Sequence, residues 1–104
     1  MRELDPLQLR DHLAGADEAP LLLDVREPWE FEICRLADSV NVPMGQVANT
    51  PLDREREIVV ICHHGVRSYH VAAWLENQGF QRVINLSGGI HAWAERVALE
   101  MARY

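Results

Sequence analysis

Lysine is missing from this chain of 104 residues, and all ten of its basic side chains are arginine. That absence excludes a Schiff-base lysine, and with it a pyridoxal-phosphate site or a lysine-bearing phosphate loop. Cysteine is scarce too: Cys34 and Cys62 are the only two, and they do not form a Cys-x-x-Cys pair. Two thiols are too few for a disulfide framework, so a cysteine that matters here matters singly. No apolar run is long enough to span a bilayer, and no membrane role is expected. Met1–Pro6 carries one positive charge with no apolar stretch behind it, so no secretory signal is expected and a cytoplasmic protein is the simplest expectation. Basic charge is in short supply: the net charge of −6 argues against a nucleic-acid partner, which needs a cationic surface. The acidic residues are interspersed with arginines, as in Asp53–Glu57, and form a solvated surface.

What is present suits one compact unit. With 48% hydrophobic residues, the chain reads as a single domain over residues 1–104 around one core. Short apolar runs alternate with helical patterns, the mark of an α/β fold with a mostly parallel sheet. Asp5-Pro6 reads as an N-cap and first helical residue, opening a helix to about Leu13 that Gly15 ends. Leu21–Val25 is a strand covered on both faces. The stretch that begins at Glu27-Pro28, with Trp29, Phe31 and Ile33, reads as a short helix, Ser39–Val42 as a brief strand stopped by Pro43, and Met44–Ala48 as a further helical turn. Ile58-Val59-Val60-Ile61 is four β-branched residues in a row, the clearest strand of all. A helix bearing Val71, Ala72, Trp74 and Leu75 follows and stops at Gly79. Val83–Leu86 is the last strand, and Ser87-Gly88-Gly89 leads into a closing helix from Ile90 to about Leu99.

Chemistry concentrates where the strongest strand ends. Ile61 runs directly into Cys62-His63-His64-Gly65-Val66-Arg67, with a helix expected five or six residues beyond Cys62. Ligands of open α/β sheets bind at the carboxyl ends of strands, which puts Cys62 on the functional edge. Gly65 allows tight curvature, so that successive N–H groups turn inward as an anion nest backed by a helix N-terminus. Such surroundings favour the thiolate, the form that attacks. Most free cysteines are small buried hydrophobes, but the position at a strand end before a glycine-bearing loop favours a nucleophile for Cys62.

These residues resemble a known family. Cys62–Arg67 is similar to the six-residue active-site loop of rhodanese-like domains, the thiosulfate sulfurtransferase superfamily. The likeness runs in register along nearly the whole chain, through Asp24-Val25-Arg26, Glu30-Phe31, Ser39-Val40-Asn41-Val42-Pro43 and Gly88-Gly89-Ile90-His91-Ala92-Trp93. One stretch departs: Cys34-Arg35-Leu36-Ala37-Asp38-Ser39 stands where the family usually has Gly-His-Ile-Pro-Gly-Ala. That turn must form without its glycines, with Asp38 as the residue that tolerates positive φ.

The resemblance implies a three-layer fold in which helices flank a five-stranded, mainly parallel sheet. It also implies a double displacement, in which Cys62 takes sulfur from a small anionic donor such as thiosulfate. The resulting persulfide, a covalent intermediate needing no separate cofactor, passes its outer sulfur to cyanide, a thiol or a dithiol protein. Backbone N–H groups of residues 63–67 are expected to hold the anionic sulfur, His63 and His64 to guide the donor, and Arg67 to help close the loop. Asp24 and Arg26 read first as a buried pair supporting the strand end. Cys34 reads as a core thiol, His12 and His91 as isolated surface or packing histidines, and Trp74 and Trp93 as core anchors. No metal site is expected, since adjacent residues on a tight loop do not converge on one ion.

Two alternatives stay open. A phosphatase related to this fold needs Cys-x5-Arg around a phosphate, whereas Cys62 and Arg67 are spaced as Cys-x4-Arg. A non-catalytic interaction module is the other, although such modules often lack the cysteine retained here.

Overall fold

The computed structural model describes residues 1–104. Strand β1 (Arg2–Leu4) leads into α1 (Pro6–Gly15), and β2 (Leu21–Asp24) into α2 (Pro28–Ile33). Then come β3 (Val40–Asn41), a 3-10 helix over Met44–Asn49, β4 (Ile58–Ile61), α3 (Val66–Asn77), β5 (Val83–Leu86) and α4 (Gly89–Arg96). The strands order as β1-β5-β4-β2-β3, and every pairing is parallel. The α/β, three-layer architecture expected above is the one found. β1 is the strand sequence patterning missed: only Leu4 of its three residues is buried, so it shows no apolar run.

Alternation along the central strands builds two cores rather than one. Ile58, Val60 and Leu23 point to one face, where they meet Val71, Ala72 and Leu75 of α3 and Val47 of the 3-10 helix. Val59, Ile61 and Leu22 point to the other, against Leu9 of α1 and Ile90 of α4. This double coverage is why β4 reads as an unbroken apolar run. Burying one such aliphatic side chain stabilises the fold by about 1.5–3 kcal/mol. Trp93 packs against the second core, but Trp74 is 38% exposed on the flank of α3. Both tryptophans fit the helical period, and periodicity alone does not separate a flank from the buried stripe.

The helix ends follow local chemistry. Asp5 Oδ1 accepts the Gln8 N–H at 2.8 Å while Gln8 Oε1 accepts the Asp5 N–H at 3.0 Å, closing a capping box at α1. α2 turns its amphipathic pattern round, leaving Trp29 59% exposed and Glu30 buried. At the turn without glycines, Asp38 takes φ 65°, the only positive φ outside glycine. α4 ends at Arg96, three residues before the expected Leu99. No helix is long and apolar enough to cross a membrane.

Candidate active site

Cys62 follows the last residue of β4 and is 1% exposed. α3 begins at Val66, earlier than expected, so only three residues separate Cys62 from its first turn. Gly65 permits this by taking φ 95°; a Cβ there would stand 3.0 Å from the Gly88 nitrogen and 3.2 Å from the Leu86 carbonyl. The chain therefore folds over the sulfur. Gly65 donates its N–H to Cys62 Sγ at 3.1 Å and Ser68 does so at 3.3 Å. Two N–H donors and the helix N-terminus behind them face one sulfur atom, an arrangement that stabilises negative charge there.

A buried polar chain continues from the sulfur. The Cys62 thiol lies 3.3 Å from the Ser68 hydroxyl, which donates to Asn85 Oδ1 on β5. Asn85 Nδ2 in turn donates to the Gly65 carbonyl at 3.2 Å and to Glu3 Oε1 at 2.6 Å. Asn85 thus ties β5 to the loop and holds the carbonyl of Gly65, the residue whose own N–H points at Cys62. Ser68 and Asn85 lay outside the stretch singled out by sequence. The available signal was a lone amide within the apolar run Val83–Leu86.

Two arginines frame the loop without facing the sulfur as free cations. Arg26 and Asp24 are fully buried, with Arg26 Nε 2.9 Å from Asp24 Oδ1 and Nη2 2.7 Å from Oδ2. Arg26 also donates to the Cys34 carbonyl at 2.6 Å and the Glu30 carbonyl at 3.3 Å, satisfying the C-terminus of α2. Burial opposes its charge, yet hydrogen bonds to Asp24 and Tyr104 outweigh that and hold its pKa above the ordinary arginine value. Arg67 grips both oxygens of Glu30, at 2.8 and 2.9 Å. That bidentate pairing pulls the Glu30 carboxyl down to about 2 against the opposing effect of burial, with help from the Glu27 N–H and Tyr104. Glu30 stood in the family resemblance without a role, and Tyr104, a tyrosine far along the chain, was missed altogether, since it carries no local signal.

The histidines gather beside the loop, next to this network. His63 and His64 lie side by side, ring centroids 4.1 Å apart. His91 is not isolated: its ring is 5.0 Å from that of His64 and 6.0 Å from that of His63. Its backbone explains the approach, since Ile90 and His91 donate to the carbonyls of Cys62 and His63 at 2.9 and 3.0 Å. His12 likewise has a partner, with Nε2 2.7 Å from Glu57 Oε1. Tyr104 stacks on His63 at 4.0 Å while its hydroxyl donates to Glu30 and accepts from Arg26. Burial, then the neighbouring His64, push the His63 pKa down, with Glu30 opposing. Burial pushes the Tyr104 phenol up to about 12. Cys34 is buried and unpaired in a disulfide, 3.9 Å from an Arg26 nitrogen.

Sequence and fold comparisons agree on the kind of domain this resembles. The family model described as "Rhodanese-like domain" matches residues 5–96. A sulfurtransferase of Allochromatium vinosum is 36% identical over 96 residues, covering 90% of this chain and 89% of that protein. The thiosulfate sulfurtransferase GlpE of Pseudomonas syringae is 35% identical over 79 residues, covering 74% of each. Among solved structures, a rhodanese-related protein from Thermoplasma volcanium superposes with TM-score 0.82 at 29% identity, covering 93% of this chain and 94% of that one.

Proposed function

This chain belongs to the rhodanese-like domain family, and on that premise we propose that it is a sulfurtransferase that carries sulfane sulfur as a persulfide on Cys62. The observation that carries this reading is the aim of the Gly65 and Ser68 N–H groups at Cys62 Sγ, at 3.1 and 3.3 Å. In the first half-reaction the Cys62 thiolate attacks the outer sulfur of a small anionic donor such as thiosulfate. The donor's S–S bond breaks, and sulfite leaves with the bonding electron pair. In the second, the thiolate of a small thiol or dithiol protein, or cyanide, attacks the terminal sulfur, and Cys62 leaves again as thiolate. Both halves place negative charge inside the loop, which is the charge its N–H groups are preorganised to hold.

Three features support sulfur over phosphate. α3 begins at Val66, so only three residues lie between Cys62 and the helix, a short loop that suits a single sulfur atom better than four phosphate oxygens. Arg67, the residue a phosphate loop would need, has both terminal nitrogens on Glu30. Relatives that this chain covers to 89% and 74% of their length are named for sulfur transfer. Two free cysteines also suit a reducing compartment such as the cytoplasm. Mass spectrometry after exposure to thiosulfate tests the proposal. Wild type and Cys34→Ser should gain the mass of one sulfur atom and Cys62→Ser should not; the opposite pattern refutes the assignment.

A further inference from the structure

Cationic side chains near the Cys62 loop are few. There is no lysine anywhere in the sequence. Arg26 is paired with Asp24 and Arg67 with Glu30, so neither offers an unpaired charge to an incoming anion. What remains beside the loop is imidazole and one arginine, Arg103, which lines a pocket with His63 and His91 and donates to the Ala94 carbonyl. His63 and His64 are the two residues after Cys62, and the hydrogen bonds from Ile90 and His91 to the Cys62 and His63 carbonyls bring a third ring to them. Gly89 makes the approach possible: its φ is 64°, and a Cβ there would stand 2.3 Å from the His63 oxygen. The three rings form one contiguous group, with centroid separations of 4.1, 5.0 and 6.0 Å. His64 and His91 face solvent, while Tyr104 backs His63 at 4.0 Å.

We propose that His63, His64 and His91 form a single anion-recognition rim that takes up a proton as the anionic sulfur donor binds. This rests on the reading that Cys62 accepts sulfur from an anion, and adds how that anion is recognised. Three imidazoles so close together resist carrying several protons at once, because each cation repels the next. A bound anion removes that penalty for one of them, so binding and protonation are linked. The other charged groups around the rim are paired or constant: Arg103, as an arginine, adds a fixed positive field that does not change with pH. On α2, Glu30 is paired with Arg67 and bonded by Tyr104 yet still favours a proton on His63, while Arg26, paired with Asp24 beside β2, opposes it. On α4, the Glu95 carboxylate lies 2.7 Å from His91 Nε2. Cys62 itself is the one further titratable group of the loop, and a test must cancel its ionisation.

Charge-matched alkylation does so. Iodoacetate is an anion and iodoacetamide is neutral, and both react with the same Cys62 thiolate. The ratio of their rates at Cys62, followed by mass spectrometry of the Cys62 peptide, is therefore independent of how much thiolate is present. In wild type that ratio should rise about two- to fourfold between about pH 8.5 and about pH 5.5, the effect of one cation ~5 Å away in screened, water-like surroundings. His91→Gln should reduce the rise, and His64→Asn with His91→Gln should reduce it further, to what His63 alone supports. Both side chains are exposed, and the ratio is internally normalised, so an altered overall reactivity does not obscure the outcome. A flat wild-type ratio, or a full rise in the double variant, overturns the proposal. The assay needs no sulfur donor, so a protein that shows the rise but never loads sulfur from thiosulfate would refute the sulfurtransferase reading and leave the rim standing.

Discussion

Arg67 leaves the sulfur-binding loop and clamps Glu30, its two terminal nitrogens 2.8 and 2.9 Å from the two carboxylate oxygens. The first turn of α3 is thereby locked to α2, and Glu30 at 4% exposure is held as an anion. Because its folded pKa, about 2, lies below the ordinary carboxyl value of 4.5, the stabilisation is complete above about pH 4.5. It is lost as pH falls from there toward 2. Glu30→Gln should cost about 1–3 kcal/mol at neutral pH, and the gap to wild type should close as the buffer is acidified through that window. Urea denaturation at several pH values measures it. A gap that stays constant with pH would show that Glu30 is not stabilised as its anion.

Gly89 should be the least replaceable glycine. Alanine there adds the cost of a positive φ, about 1–2 kcal/mol, to a collision with the His63 peptide that no side-chain rotation relieves. Gly89→Ala should lower stability by more than about 2 kcal/mol and slow sulfur loading, because the Cys62–His63 backbone must shift. Gly45→Ala is the matched control: its Cβ meets nothing within 4 Å, and it should stay within about 0.5 kcal/mol of wild type. Thermal melts and loading rates of the two variants compare them directly.

Asn85 is polar within an otherwise apolar strand because both ends of its amide are used, by Ser68 on one side and by Gly65 and Glu3 on the other. Asn85→Leu is close in volume but leaves the Ser68 hydroxyl and the Gly65 carbonyl buried without that partner. A loss of about 1–3 kcal/mol is expected in chemical denaturation. Loading should suffer as well, since the amide holds Gly65 in place through its carbonyl, and the N–H of the same residue is aimed at sulfur. Asn85→Leu at wild-type stability would mean the network contributes nothing net.

The framework of the molecule was legible because burial on both faces of a parallel sheet writes continuous apolar runs, as at Leu21–Val25 and Ile58–Ile61. The position of Cys62 was legible for the same reason: a strand that strong must end somewhere, and it ends at a cysteine. Even the positive φ of Asp38 followed from the missing glycines of its turn. What stayed hidden depends on contacts distant in sequence. β1 is a strand only because β5 pairs with it. Glu30, Tyr104, Asn85 and His91 join the site through partners on other elements, and a pattern read along the chain does not register them. Trp74 and α2 err in the other direction, where an apolar period does not say which face the core takes.

Loop length tests the chemistry most directly. Cys62 Sγ receives Gly65 N–H at 3.1 Å from within the loop and Ser68 N–H at 3.3 Å from the first turn of α3. The two donors belong to segments joined at Val66, so one glycine inserted after Gly65 separates them. α3 is anchored independently through Val71, Ala72 and Leu75 in the core and through the Arg67–Glu30 clamp, so the helix should stay and the loop should bulge. Gly65 then loses its place against Gly88 and Leu86, and at least one N–H no longer points at the sulfur. Removing one preorganised donor of this kind costs about 2.7–4 kcal/mol of transition-state stabilisation, so sulfur transfer should fall by about 100-fold or more. Far-ultraviolet circular dichroism should remain that of the folded protein, which separates lost aim from lost fold. Hydrolysis of an aryl phosphate, measured on the same two proteins, should be absent in the wild type. Wild-type phosphatase activity without sulfur loading would refute the proposed function. An insertion variant that transfers sulfur at the wild-type rate would show instead that the aim of these two N–H groups is not what drives the reaction.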